Sequence, residues 1–272
     1  MKRKYWLLLI AALAVAYWSY DELVDSFSVR SIHLDTWPTK NYEPPICLYS
    51  KELAQPYTYL GKGRQFYVFG SSDGKYVLKF IKCQRIDIPT LLKPFTSDKR
   101  FQDRLARIDG IFSSLALASG PFQECTGVLY AQLAKRSGIT QEVELIDKLG
   151  IHHTISLENV PFVLQKRAVP LLECLEELIA KNDIAEAKVR LNQLIQLFEQ
   201  DVSLSCYDTD SGIILRNNVG FLPDCAIHID IGTLTHQPPQ HTVERLQPLQ
   251  GWLQDKKPEL ADYFSRVLGE GV

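Results

Sequence analysis

Residues Tyr57 to Ile81 constrain the fold more than any other stretch of this chain. Tyr57-Thr58-Tyr59-Leu60 reads as a strand, and Gly61-Lys62-Gly63 turns the chain after it. Gln65 to Phe69 gives a second strand. Ser71-Ser72-Asp73-Gly74 follows as a tight hairpin, because Asp-Gly suits the positive φ angles that such a turn requires. Lys75 to Ile81 is the third strand, with Lys79 in its middle. Glycines at the first turn let backbone amides approach phosphate oxygens. A lysine on the next strand but one reaches the same phosphates as a point charge. Gly61, Gly63 and Lys79 are therefore candidate phosphate-binding residues. A plainer reading stands beside this one. Gly-Lys-Gly is a common turn, and Lys79, between Leu78 and Phe80, equally suits the solvent face of a half-buried strand. Gly70-x-Ser72-x-Gly74 is no nucleophile elbow, which needs a strand leading into a helix.

The chain then turns helical from about Ser97, with Phe101, Leu105, Ile108, Ile111, Phe112 and Leu115 recurring at three and four. Gly120-Pro121 interrupts the pattern, and a second helix is expected over roughly Phe122 to Ala134. Glu124 near its start either complements the helix dipole or reaches Lys79. Strands return between Gln141 and Lys166, with Val160 to Gln165 the most apolar and so central. Leu171, Leu175, Leu178 and Ile179 then share one helical face. Asn182 or Asp183 can cap the next helix, where Ile184, Ala187, Leu191, Leu194, Ile195 and Phe198 form a stripe. Pro258 starts a last helix that packs through Leu260, Phe264, Val267 and Leu268.

Cys206 to Gly232 carries the densest chemistry. Asp208-Thr209-Asp210 stands near its start, followed by Asn218-Val219-Gly220-Phe221. A short strand, Ala226 to Ile229, then ends in Asp230-Ile231-Gly232. Carboxylate and amide oxygens are the hard ligands that magnesium prefers. Loops rich in Asp, Asn and Gly also serve as plain turns.

Lys2, Arg3 and Lys4 precede an uncharged run from Tyr5 to Tyr20. As a helix this run spans about 24 Å, and aromatics bracket it as they do at a membrane interface. It reads as a retained membrane anchor, as a signal segment cleaved near Ala14-Val15-Ala16, or as an ordinary buried helix. Basic residues at its start would stay cytoplasmic and put the body on the other side. A net charge of −2 with no basic patch speaks against a nucleic-acid surface. Six scattered cysteines show no metal-ligand spacing and read as buried thiols, with disulfides still open. The six histidines read as structural.

This order of parts resembles the protein-kinase-like fold. Gly61, Gly63 and Val68 match the glycine-loop pattern, with Phe66 where the third glycine would stand. Lys79 in YVLKF matches the kinase lysine, VPFVLQKR the strand running into the hinge, and Asp230-Ile231-Gly232 the D-F-G. There is no H-R-D; Asp208 and Asp210 stand ten and eight residues before Asn218, where five is usual. NVPFVLQKRA with DTD, NNVGFL and AIHIDIG is more closely similar to uncharacterised kinase-like proteins of chlamydia-related bacteria.

The resemblance implies an α+β, two-lobed fold, with a small antiparallel sheet lobe and a helical lobe behind an N-terminal hydrophobic helix. The expected divisions are 1–21 as anchor or signal, 22–56 as a tether into the body, 57–166 as the sheet lobe and 167–272 as the helical lobe. It implies ATP and Mg²⁺ as cofactors, with Lys79 on the phosphates and Asn218 and Asp230 on the metal. Asp210, or else Asp208, would position an acceptor hydroxyl on an unidentified protein or small molecule. Glu124 would be the partner of Lys79. The alternatives are a catalytically inactive pseudokinase or binding module, and a structural membrane-attached protein without a nucleotide site.

Overall fold

A computed structural model of the chain describes residues 6, 20–34, 37, 42, 49–83, 98–134, 141–209, 218–238 and 246–271. The expected anchor over 5–20 lies outside the described residues except for Trp6 and Tyr20. Among the described residues no helix is long and apolar enough to cross a membrane. The protein is mixed α+β and divides into two compact units. One draws on 1–105 and 132–164, the other on 106–131 and 165–272.

The first unit is built on strands β1 (Tyr57–Lys62), β2 (Phe66–Ser71) and β3 (Tyr76–Ile81), paired antiparallel. The alternation and the turn residues specify them. Gly74 takes the Asp-Gly turn at φ 73°, as a tight turn demands. One detail differs from the sequence reading. β1 runs on through Gly61 and Lys62, with a bulge between Tyr59 and Gly61, so the turn itself begins at Gly63. The sheet continues through β5 (Glu142–Ile146), β6 (His152–Ser156) and β7 (Phe162–Lys166), and it also takes in β4 (Val128–Gln132), whose residues 128–131 are counted with the second unit, as are 165 and 166 of β7. Its order is β4-β7-β3-β2-β1-β5-β6. β7 is an interior strand, and its Phe162 to Gln165 are buried throughout, in keeping with their apolar run.

The segment ahead of β1 also feeds this core. Val24, Phe27, Ile32 and Leu34 are buried, as is Leu53 on the short helix α1 (Ser50–Leu53). The Phe27 ring meets Tyr67 and Phe69 edge-on, at 5.3 and 5.1 Å. Beside it, Asp25 accepts from Tyr59 Oη at 3.1 Å and pairs with Lys148 at 3.1 Å and Lys62 at 3.3 Å. Burial works against the charge of Asp25, but these three partners hold its carboxyl below the usual carboxylate range. Its folded pKa is depressed, so the stability it adds is present above the unfolded value of about 3.9 and is lost as pH falls through the folded one. Asp25→Asn should cost about 1–2 kcal/mol near neutrality. Asparagine also tolerates the positive φ of 57° there. In urea unfolding the gap between wild type and variant should close below about pH 3.

The second unit holds the helices. α2 (Asp98–Ser119) begins in the first unit's share of the chain and buries Ile108, Ile111, Phe112 and Leu115, as its spacing predicts. The expected helix over Phe122 to Ala134 is corrected. Only α3 (Gln123–Thr126) forms, and Gly127 at φ 63° ends it in the left-handed conformation. Val128, Leu129 and Tyr130 then extend as β4, where branched and aromatic side chains pack well. α4 (Leu171–Ala180), α5 (Ile184–Leu204), α6 (Gln247–Lys256) and α7 (Pro258–Gly271) enclose one apolar core. Leu171, Leu175, Ala187, Leu191, Leu194, Leu260 and Phe264 lie within it. Asp183 caps α5 by accepting from Glu186 N at 3.1 Å. Against this core lie β10 (Val219–Phe221) and β11 (Ala226–His228), with β8 (Val169–Pro170) on the far edge of β10. β9 (Tyr207–Asp208) pairs separately with β12 (Leu234–Thr235).

Candidate functional site

The acids and the asparagine singled out in Cys206–Gly232 meet in the second unit. Asp208 ends β9, Asn218 immediately precedes β10, and Asp230 follows β11 after one residue. The β10–β11 hairpin brings the last two together. Val219 pairs with His228, so the Asn218 carbonyl accepts from both Ile229 N at 2.8 Å and Asp230 N at 3.2 Å. The Asn218 amide nitrogen then donates to Asp208 Oδ2 at 3.3 Å. Three residues distant in sequence thus form one connected cluster.

Gly220 explains why the asparagine is followed by Val-Gly-Phe. A Cβ there would stand 2.8 Å from the Val169 carbonyl oxygen and 3.1 Å from Ala168 Cβ. Only a glycine lets β8 approach β10 this closely, and that pairing fixes the strand carrying Asn218.

The three side chains differ in setting. Asp208 and Asn218 are buried, at 1% and 4% exposure. Asp208 Oδ1 also accepts from Thr233 Oγ1 at 2.5 Å. The Asn218 amide nitrogen is committed to Asp208, so the side-chain oxygen is the atom Asn218 can offer a cation. Asp230 is half-buried, and its Oδ1 accepts from Gly232 N at 3.3 Å. Among the described residues its other carboxylate oxygen carries no hydrogen bond, so Asp230 is the carboxylate best placed to take a cation. Hard oxygen donors of this kind fit Mg²⁺. Asp210 lies outside the described residues.

Neighbours that the sequence reading passed over hold this loop in place. The Ser114 hydroxyl on α2 donates to the Ile231 carbonyl at 2.7 Å and accepts from Leu234 N at 2.7 Å. Thr209 N and Oγ1 both donate to the Thr233 carbonyl, at 3.0 and 3.1 Å. Beneath the hairpin, His228 Nε2 meets both carboxylate oxygens of Asp201 at 2.9 Å. Asp201 was detectable in the sequence. It follows Leu194 and Phe198 on the same helical stripe, a position where an acid needs a buried partner.

The first unit holds the other candidates. Lys79 lies on β3 opposite Val68 and is 7% exposed, so it does not occupy a solvent face. Gly61 pairs with Val68 within the sheet. Gly63 N donates to Phe66 O at 2.9 Å, so the hairpin uses that amide, and Gly63 O accepts from Lys82 Nζ at 2.7 Å. Glu124, in the second unit, is exposed at the start of α3, and its Oε2 accepts from Gln200 Nε2 at 3.4 Å.

No protein-family model matches the chain, and no curated protein matches it.

Proposed function

We propose that this chain is a kinase-like protein of two-lobed design that binds ATP with Mg²⁺ and passes a phosphoryl group to a protein or small-molecule acceptor. The observation that carries this reading is the Asp208–Asn218–Asp230 cluster. One asparagine uses its side chain on the first acid and its backbone carbonyl on the second. Asn218 and Asp230 would hold the cation, the element that neutralises charge developing on the phosphates. Asp208 would fix Asn218 and Thr233, leaving Asp210 to position the acceptor hydroxyl. Lys79 would hold phosphate oxygens. Its place supports this role: it is a buried lysine on the third strand of a sheet, the strand that carries the phosphate-binding lysine in kinases. Residues 5–20 would tether the body to a membrane, or direct it to a secreted or periplasmic location after cleavage.

A second reading, a nucleotide-binding module without transfer activity, is favoured by the first turn. There Gly63 spends its amide on Phe66 instead of leaving it for a phosphate.

Thermal unfolding with ATP separates these readings from a plain structural role. At a hundredfold over Kd the nucleotide should add about 2.7 kcal/mol of stability, a shift of several degrees, and only with Mg²⁺ present. Asp230→Asn should abolish the Mg²⁺ dependence while the apo protein melts as wild type does. A shift that survives Asp230→Asn, or no shift for either protein, sinks the proposal. Transfer from γ-labelled ATP to added acceptors then tells kinase from binding module.

A further inference from the structure

The glycine turn after β1 is held from outside its own hairpin. Lys62 and Tyr67 are the last facing pair of β1 and β2 before the turn. Each is tied to one of two consecutive residues upstream of β1. Lys62 Nζ pairs with Asp25 Oδ1 at 3.3 Å, and Tyr67 Oη donates to the Ser26 carbonyl at 2.6 Å. Tyr59 Oη, on the same strand as Lys62, donates to Asp25 Oδ2 at 3.1 Å. At the turn itself, Lys82 Nζ lies 4.7 Å from the centre of the Tyr67 ring and donates to the Gly63 carbonyl at 2.7 Å. All of these residues belong to the first unit.

Asp25 and Ser26 both have left-handed backbones, at φ 57° and 60°. Two such residues in succession, neither of them glycine, are conformationally costly and persist only where their surroundings over-determine them. Ser26 N donates to the Asp21 carbonyl at 2.8 Å and Ser26 Oγ to Asp21 Oδ2 at 2.7 Å, so the bend is braced from within. Covering the sheet calls only for the apolar Val24 and Phe27. The bend between them adds polar ties to both strands at the mouth of the turn.

We propose that Asp25 is a positioning residue for the glycine turn, and that residues 24–27 form a clamp holding that turn in place for a nucleotide. The effect on ATP rests on the nucleotide-site reading above; the clamp itself does not. Fixing both strands where they enter the turn removes conformations that a ligand would otherwise have to select against. A turn that reached its binding geometry only about one time in ten would raise the apparent Kd about tenfold. The clamp follows closely on the uncharged run 5–20, so the stretch that leads from that run into the body also governs the turn.

The test follows amide exchange by mass spectrometry and ATP binding with Mg²⁺ in parallel, on the full chain. Tyr67→Phe deletes the tie to Ser26 and keeps the ring, and Asp25→Asn deletes the charge opposite Lys62. Each should speed exchange across residues 61–66 and raise the Kd for ATP about tenfold. Tyr57→Phe is the control. It too removes a hydroxyl from a fully buried tyrosine, one that donates to the Glu52 carbonyl at 2.8 Å, at the end of β1 far from the turn. It should lower stability to a similar extent and leave both readouts as in wild type. Because coupling is reciprocal, ATP should slow exchange at residues 24–27 in wild type and fail to do so in Tyr67→Phe. Unchanged exchange across 61–66 in both clamp variants would overturn the proposal, as would an equal loosening of that stretch by Tyr57→Phe. Faster exchange with an unchanged Kd would overturn the positioning role. If wild type bound no ATP, the nucleotide-site reading would fall, and the exchange comparison would decide the clamp by itself.

Discussion

Phe69→Ala should destabilise the protein by about 3–5 kcal/mol, the range for truncating a buried phenylalanine. Phe69 is fully buried on β2 and has aromatic neighbours on both sides of its strand and from ahead of β1. Its ring lies 5.1 Å from Phe27, 5.3 Å from Tyr59 and 5.8 Å from Phe80, all in edge-on geometry. Truncation removes the transfer free energy of one ring and the edge-to-face contacts of three others, and the rigid sheet cannot close the hole. Against a total of about 5–15 kcal/mol, that is a large share. A fall in the urea midpoint with an unchanged slope would bear this out. A loss under about 1 kcal/mol would mean that Phe27 and its segment do not stay packed on the strand in solution.

Asp208→Ala should cost about 2–4 kcal/mol for a different reason. The side chain is small, so little apolar burial is lost. The Asn218 amide and the Thr233 hydroxyl, however, both donate to this buried carboxylate. Truncation leaves two donors in a dry site, and hydrogen bonds to a charged group are the expensive ones to lose. Asp208→Asn, which keeps the volume and one accepting oxygen, should cost less than the alanine variant. If alanine and asparagine proved equally mild, the cluster would be wetter than its burial suggests. Under the proposed function, both variants should also weaken the Mg²⁺-dependent response to ATP, because each frees Asn218.

What the sequence made legible follows from how local each signal was. The hairpins at 57–81 and the stripes of α4, α5 and α7 came from periodicity and turn residues, and both are short-range properties. The acids and Asn218 were legible as a group because they share one stretch, although their pairing depends on Gly220 and β8, which come from elsewhere in the chain. The helix expected over 122–134 misled because Val128 to Ala131 is apolar throughout, and such a run reads as helix or strand alike. Gly127 decided it by leaving the helical region. Phe27 gave no signal among Ser26, Ser28 and Arg30, since a lone aromatic in a polar segment has no period. The Asp201–His228 pair joins partners far apart in sequence. Only the misfit of each in its own apolar stripe pointed to it.

The second unit has a bearing on how this protein can be taken apart. It comprises two separate stretches, 106–131 and 165–272. Ser114, which braces the loop after Asp230 at both Ile231 and Leu234, comes from the first of them. A fragment beginning at Gln165 would carry all three residues of the Asp208 cluster and lack the brace that shapes their loop. No terminal truncation isolates this unit; a minimal version requires the two stretches to be spliced, with a short linker replacing residues 132–164.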